Sequence, residues 1–358
     1  MSTAATRAER IGRVAIALGV VAVAWPAIAA ADPVADFYKG RTVTLYVGFG
    51  AGGGYDTTAR ILVRHFGKHI PGNPTIVVSN MAGAGSMRAL NYIYNAATKD
   101  GSAIGMFSAP IVLEPLFGNK NAQFDAGKLS FVGNVHTDIN SCGIWKGGGV
   151  GIKTFGDLVQ SKKTIVFGAL SPENTTSRYP VFIKKVFKAP LKIVNGYKGT
   201  SAINVAMQKG EADATCGMFE SSVLGPFRPY FESGDLKIIF QTAFEQKVDT
   251  FGDAASIGEL IAGKGEEMRQ IAELVFRPAE ITRPVVAPPG IPADRLAALK
   301  AAFDATMKDP AMIGEGKRIS VNFKPMTGDR VSQIVNGFLK ASPAVAKKAQ
   351  DLSNETQP

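Results

Sequence analysis

The spacing of apolar residues over positions 41–107 narrows the possible folds of this chain more than any other feature. Val43, Leu45 and Val47 recur at every second position, as along one face of a strand. From Asp56 the period lengthens. Ala59, Leu62, Val63, Phe66 and Ile70 follow helical spacing, with Asp56 or Thr57 suited to the N-cap and Pro71-Gly72-Asn73-Pro74 to the stop. A second strand is predicted at 75–79 and a second helix carries Leu90, Ile93 and Ala97. Lys99-Asp100-Gly101 breaks that helix, and a third strand follows at 103–107. This β-α-β-α-β order is most economically folded as a parallel sheet with right-handed crossovers.

The same order puts two glycine turns at the carboxyl ends of neighbouring strands, where open α/β sheets bind ligands. The first, VGFGAGGGYDTTAR, carries glycine at 48, 50, 52, 53 and 54; the second is Met81-Ala82-Gly83-Ala84-Gly85-Ser86. Glycine lets backbone N–H groups crowd a small anion, and the helix that follows adds the positive end of its dipole. Two such N-termini on one edge suit a carboxylate, held directly or through ordered water. Gly48-Phe49-Gly50-Ala51-Gly52-Gly53 also matches the dinucleotide pattern G-x-G-x-x-G by letter. Against that reading, extra glycines and Tyr55 lengthen the turn, and the second strand ends in Ser79-Asn80 rather than an acid for a ribose hydroxyl. No Gly-Lys-Ser/Thr closes the turn as a Walker A loop requires.

Farther along the pattern repeats more loosely. Strands are predicted at 164–167, 191–195, 213–218 and 236–240, with helices at 179–187 and 202–209. Ser171-Pro172-Glu173-Asn174-Thr175-Thr176 reads as a polar helix start, and Tyr197-Lys198-Gly199-Thr200 leads into the second helix. The remainder is mainly helical. It is interrupted at 284–292, where Ala287-Pro288-Pro289-Gly290-Ile291-Pro292 forms a rigid turn that opens a helix at 294–307. A chain that leaves a first lobe near 138 and returns near 238 builds two lobes joined by two crossings. The expected segments are 32–137 in lobe one, 138–237 in lobe two, and 238–358 returning to lobe one with C-terminal helices. The fold class is α/β, each lobe a mixed, mostly parallel sheet flanked by helices, with the ligand cleft between them.

Residues 1–31 read as an export leader. Arg7, Arg10 and Arg13 precede an apolar stretch at 14–25 and the small residues Ala27-Ile28-Ala29-Ala30-Ala31, the order of a secretory signal peptide cleaved between Ala29 and Asp32. The apolar core is too short to span a bilayer comfortably. The 327 residues that remain (358 less the leader's 31), in a chain 46% hydrophobic and 20% charged, can bury two cores. Losing the leader's three Arg and one Glu lowers the formal charge from +10 to +8, which draws small anions toward a cleft and discourages cations. No basic run with interleaved aromatics points to nucleic acid. Cys142 and Cys216 lie in strand-like runs and suit either a disulfide or two buried thiols; no C-x-x-C suggests zinc or redox chemistry. His65 and His69 stand four apart, but Phe66, Gly67 and Lys68 between them supply no general-base glutamate, so a solvated basic helix face is expected. His136, near Asp138, has no nucleophile to serve. No catalytic residue, metal site or cofactor is expected.

Taken in order, several segments resemble one family. They are the leader, GFGAGGGYD after the first strand, NMAGAGS after the second, KDG before the third, GYKGTSAINVAMQKGEADA in the second lobe, and RPVVAPPGIPADRLAALKAAFDATMKDP near the end. The likeness is to the solute-binding proteins of tripartite tricarboxylate transporters, the Bug-type periplasmic receptors, over essentially the whole mature chain. It implies a monomeric two-lobed periplasmic binding protein of the second structural type. Such a receptor closes over a small organic carboxylate in the periplasm and delivers it to membrane permease subunits. In this family the two glycine turns of lobe one hold the carboxylate, partly through bridging waters. The matching positions are Phe49, Gly52, Gly53, Gly54, Tyr55, Asp56 and Thr57, then Ala84, Gly85 and Ser86. The lobe-two turn matches Ser171, Glu173, Asn174, Thr175 and Thr176. Glu173 stands where a small residue is usual; it can reject a second carboxylate, recognise a hydroxyl or ammonium, or face solvent. Tyr197 matches the family's tyrosine-lysine-glycine segment, as a phenol in the cleft or as packing, and Ser108 after the third strand is a candidate hydroxyl donor. A receptor signalling to a membrane sensor kinase and an exported hydrolase are the alternatives.

Overall fold

The structure is a computed structural model that describes residues 32–148, 151–245, 247–318 and 323–355. The segment read as a leader, 1–31, lies outside the described residues. In chain order the strands are β1 (Thr42–Val47), β2 (Thr75–Asn80), β3 (Ala103–Met106), β4 (Ser130–Asn134), β5 (Asn140–Trp145), β6 (Ile165–Gly168), β7 (Leu191–Val194), β8 (Ala214–Phe219), β9 (Leu236–Gln241), β10 (Ala255–Ser256), β11 (Pro284–Ala287) and β12 (Met326–Thr327). They form two six-stranded sheets, ordered β12-β4-β11-β3-β1-β2 and β10-β9-β5-β8-β6-β7. In the first, β1 pairs parallel with β2 and β3, while β11 runs antiparallel between β3 and β4. In the second, β6 is parallel to β7 and β8, and β5 is antiparallel to β8 and β9. Both sheets are therefore mixed and flanked by helices, as the α/β reading requires.

The periodic segments fold as their spacing dictates. Val43, Leu45 and Val47 are fully buried on one face of β1, each contributing about 1.5–3 kcal/mol by leaving water. The Gly54–Phe66 helix turns Ala59, Leu62 and Phe66 inward into the same apolar cluster, which also takes Phe303 from the Ala293–Met307 helix. Another cluster runs without a break from Phe107 and Phe117, beyond β3, to Tyr179 and Phe182 in the Thr175–Phe187 helix, so apolar contact continues from one sheet's surroundings to the other's. That helix starts four residues earlier than expected because Asn174 caps it, its Oδ1 accepting from the Thr176 amide at 3.1 Å.

Two outcomes differ from the sequence reading. The strand near 238 does not return to the first sheet. Leu236–Gln241 is β9, paired with the otherwise open edge of β5, and β10 follows it, so the chain rejoins the first sheet only at β11. β11 itself was not predicted; it lies just ahead of the expected turn at Ala287–Pro292. It is four residues long with proline at its first position, where a missing N–H is tolerated, and carries too little periodicity to announce itself. The two crossings run side by side: Thr137 bridges Ile281, the Val135 amide donates to Arg283 O at 3.1 Å, and the Arg283 amide donates to Asn134 Oδ1 at 2.8 Å.

Cys142 on β5 faces Cys216 on β8 and the two are bonded, which settles the choice left open by the sequence. The cross-link spans 74 residues, and a closed loop of that size removes about 4 kcal/mol of chain entropy from the unfolded state. The basic face at His65 and His69 is not simply solvated. Arg64 and His65 reach Glu315, and Lys68 and His69 reach Asp309, so acids from the neighbouring C-terminal segment cover it.

Candidate functional site

Beyond β1 the chain passes Gly48, where a β-carbon would collide with Ser86, and enters the Gly54–Phe66 helix. Gly53 caps that helix without a side-chain hydrogen bond, so its first amides stay open to an anion. The Asp56 carboxylate braces the turn from inside, accepting from the Gly52 amide at 2.9 Å, Arg60 Nε at 2.9 Å and Asn80 Nδ2 at 3.0 Å. Burial by itself would raise this carboxyl's pKa, but the hydrogen bonds from Arg60, Gly52 and Asn80 hold it below the usual range. In the second turn Ala84, Gly85 and Ser86 take positive φ values of 45°, 60° and 86°. The Ser86 hydroxyl accepts from the Ser108 amide at 2.9 Å. A β-carbon on Gly85 would lie 3.0 Å from Ser171 Oγ, so this turn abuts the turn after β6 directly.

Beside that seam lies a cleft with two compartments. The inner one, about 50 Å³, is lined by Phe49, Gly54, Tyr55 and Ser108 from the first-sheet side and by Asn174, Thr175, Thr176 and Phe219 from the second. The outer one, about 500 Å³, is lined by Gly52, Gly53, Gly54 and Thr57, and by Thr200, Ser201, Asn204 and Ser222. Gly54, Thr200, Ser222 and Arg283 line both. The Thr200–Gln208 helix is also capped by a glycine, Gly199, with no side-chain bond. Two helix N-termini thus present amides to one space.

Arg228 and Arg318 also line the outer compartment but pair with Glu232 and Glu315, so Arg283, the residue before β11, supplies the charge that has no ion pair. It is 5% exposed. Its guanidinium lies 4.2 Å over the Tyr55 ring and 4.6 Å over Phe219, and Tyr55 stacks on Phe49 at 4.2 Å. Nη1 donates to Thr282 O at 2.9 Å, whereas the buried Nε has no hydrogen-bond partner. No acidic side chain lines either compartment, and none among the described residues forms an ion pair with Arg283. Burial pushes the guanidinium's pKa down against the opposing pull of Tyr55 and Asp138. Burial likewise pushes the Tyr55 hydroxyl up, opposed by Arg283 and Ser108. Desolvating a cation without a counter-charge is costly, so an arginine in this state calls for an anion.

The expected site residues divide into three groups. Phe49, Gly52, Gly53, Gly54, Tyr55, Thr57, Ser108, Asn174, Thr175 and Thr176 line the cleft. Asp56, Ala84, Gly85, Ser86 and Ser171 do not line it; they brace the turns or form the seam beside it. Glu173 and Tyr197 stand apart from it: the Glu173 carbonyl accepts from Arg178 Nε at 3.1 Å, and Tyr197 packs against the apolar cluster around Ile203. Sequence reasoning passed over Arg283, Thr200, Asn204, Ser222 and Phe219. Arg283 does open the RPVVAPPG segment, but nothing in that string marks the arginine as unpaired. Among the described residues no group of three His, Cys, Asp or Glu is placed to hold a metal.

Gly53 offers a clean test of the anion's position. Its φ of −85° suits any residue, and a β-carbon there would meet nothing nearer than Gly50 O at 3.8 Å. Gly53→Asp is expected to keep the parent's stability or raise it by at most about 0.5 kcal/mol as a better cap, read from the melting temperature. Its own carboxylate takes the anion's place, so the stabilisation that an added organic acid gives the parent is expected to fall sharply. An undiminished acid-induced shift in this variant places the anion elsewhere.

The fold is one that solved two-lobed periplasmic binding proteins share. The periplasmic binding protein BugD is similar at 19% identity and a TM-score of 0.68, covering 89% of this chain and all of that one. MatC from Rhodopseudomonas palustris with bound malate is similar at 16% identity and a TM-score of 0.65, covering 87% and 99% of the two chains. An R. palustris protein solved with adipate is similar at 18% and 0.67, covering 87% and 98%. No family model matches this chain, and no curated protein matches it. At these identities the likeness defines the fold.

Proposed function

We propose that this chain is a periplasmic solute-binding protein that captures a small organic carboxylate and delivers it to a tripartite tricarboxylate-type permease. One observation carries the reading: a cleft walled by both sheets, with no acidic side chain in its lining, holds a buried guanidinium that forms no ion pair among the described residues. The uncapped N-termini of the Gly54–Phe66 and Thr200–Gln208 helices support it, as do neighbours of this fold solved with malate and adipate. The lobes close about the crossings at 134–140 and 256–284, since ligand contacts to both lobes favour the closed form. The chain acts as a monomer in the periplasm after loss of residues 1–31, with no cofactor and no chemical step. No helix among the described residues is long and apolar enough to cross a membrane.

A thermal-shift screen against mono-, di- and tricarboxylic acids tests the reading. A ligand at a hundred- to thousandfold excess over its Kd raises stability by roughly 3–4 kcal/mol. A full panel that leaves the melting temperature unmoved sinks it.

A further inference from the structure

Of the four strands at the sheet edges, three carry guards that keep an open edge from pairing with another chain. β10 and β12 are two residues long, and the four-residue β7 exposes Lys192. β2 has no such guard. It runs for six residues, TIVVSN, without a charge or a proline, and Val77 on it is 42% exposed.

Backbone direction fixes what this edge offers. In a strand paired in parallel, successive residues turn their amide and carbonyl to opposite sides. The Thr75 amide donates to Arg41 O at 3.1 Å and the Met81 amide to Val47 O at 2.7 Å, so the odd-numbered residues face β1. Ile76, Val78 and Asn80 therefore direct their amides and carbonyls away from the sheet, where no backbone group among the described residues bonds to them. Positive charge stands at both ends of the strand. It begins beside the exposed Arg41, whose guanidinium lies over Phe37, and just past its end Arg88 Nη1 donates to Ala82 O at 3.5 Å. Neither arginine forms an ion pair among the described residues, whereas Arg60, which also reaches Asn80, is neutralised by Asp56.

We infer that β2 is a docking edge for an extended segment of a partner protein, apolar at its middle and acidic at its ends, added to the first sheet as a further strand. Main-chain bonds to Ile76, Val78 and Asn80 supply affinity, Val77 takes an apolar side chain beside it, and Arg41 and Arg88 select the ends. A second copy of this chain is a poorer match. Two β2 strands pairing antiparallel about a two-fold axis would set the Arg41 of each beside the Arg88 of the other, and like charges across a strand pair repel. None of these residues lines either cleft compartment, so docking here leaves ligand capture free.

Residue-resolved amide hydrogen exchange on the protein, purified as the cell processes it, tests this with the acetylated and amidated peptides EVTVTVE and KVTVTVK at millimolar concentration. In the free protein the Val77 and Ser79 amides are expected to exchange slowly and those of Ile76 and Val78 fast. EVTVTVE is expected to slow Ile76 and Val78 by about fivefold or more, and KVTVTVK by less than about twofold. Arg88→Glu, an exposed change at the strand's end, is expected to abolish that preference, and Val78→Pro, which removes the central outward amide, to abolish protection of Ile76 by either peptide. Should Val78→Pro fail to fold, Arg88→Glu and the parent's response to the two peptides decide. Equal protection by both peptides, or protection by neither, overturns the inference. Ile76 and Val78 amides that are already slow in the free protein, and slower as its concentration rises, overturn it in favour of a second copy on this edge.

Discussion

Arg283→Met is expected to melt above the parent in the absence of ligand and to lose nearly all response to added carboxylate. The guanidinium is buried without an ion-pair partner, and its lowered pKa has the sign of a charge the fold disfavours. Its ring contacts with Tyr55 and Phe219 return part of the cost. Methionine fills a similar volume and keeps favourable contact with both rings through its sulfur. The ligand-free gain is therefore about 1–2 kcal/mol, in line with apolar replacement of other buried charges. For the bound state the same change removes the ligand's counter-charge, and losing one partner of a buried charged pair costs about 2–5 kcal/mol. A weakening of about 100- to 1,000-fold is expected, at 1.4 kcal/mol per tenfold. Paired melting and calorimetric measurements check both halves. A variant that melts lower and binds acids as before would mean that Arg283 is a structural residue.

Breaking the pair between Glu114 and Arg178 is expected to have the largest effect on stability. Glu114 follows β3 of the first sheet, Arg178 lies in the helix after β6 of the second, and their side chains are 1% and 3% exposed. Asn119 Nδ2 donates to the same carboxylate at 2.7 Å, and the guanidinium lies 4.9 Å over Phe117. Arg178→Met leaves Glu114 buried without its counter-charge, a loss of about 3–5 kcal/mol at neutral pH. The penalty carries a sign in pH. Burial raises the Glu114 carboxyl above its ordinary 4.5 even though Arg178 pulls it down. The folded chain therefore takes up this proton before the unfolded chain does, so the group's stabilising share is complete below the unfolded pKa and is lost as pH rises through the folded one. Removing Arg178 lifts the folded value further and widens that window upward. Urea unfolding is expected to show a deficit that is full at pH 7 and shrinks toward pH 5. A deficit that is constant or grows on acidification would contradict the assignment. Replacing both partners with methionine is expected to restore most of the loss, because no charge is then stranded.

These two residues mark where the sequence stopped being informative. Strand and helix positions from β1 through β3 followed from spacing, because a period of two or of about 3.6 is a local property that burial on one face then enforces. The first glycine turn was legible for the same reason: glycines in series after a strand, before a helical period, expose amides wherever the rest of the chain goes. Cys142 and Cys216 were legible only as a choice, since their pairing depends on β5 and β8 lying side by side across 74 residues. The second glycine turn was legible as a turn, yet its close approach to Ser171 places it at the seam rather than on the cleft wall.

By itself the chain's pattern determined the α/β class, two lobes and a cleft edge rich in open backbone amides, because each rests on contacts between near neighbours in sequence. Tertiary structure decided which side chains meet there. Arg283 reaches the cleft because β11 inserts antiparallel between β3 and β4, a pairing between segments more than a hundred residues apart. Its lack of an ion pair is a statement about every element packed around it at once. No local spacing encodes that, because an unpaired charge is defined by what the rest of the fold withholds.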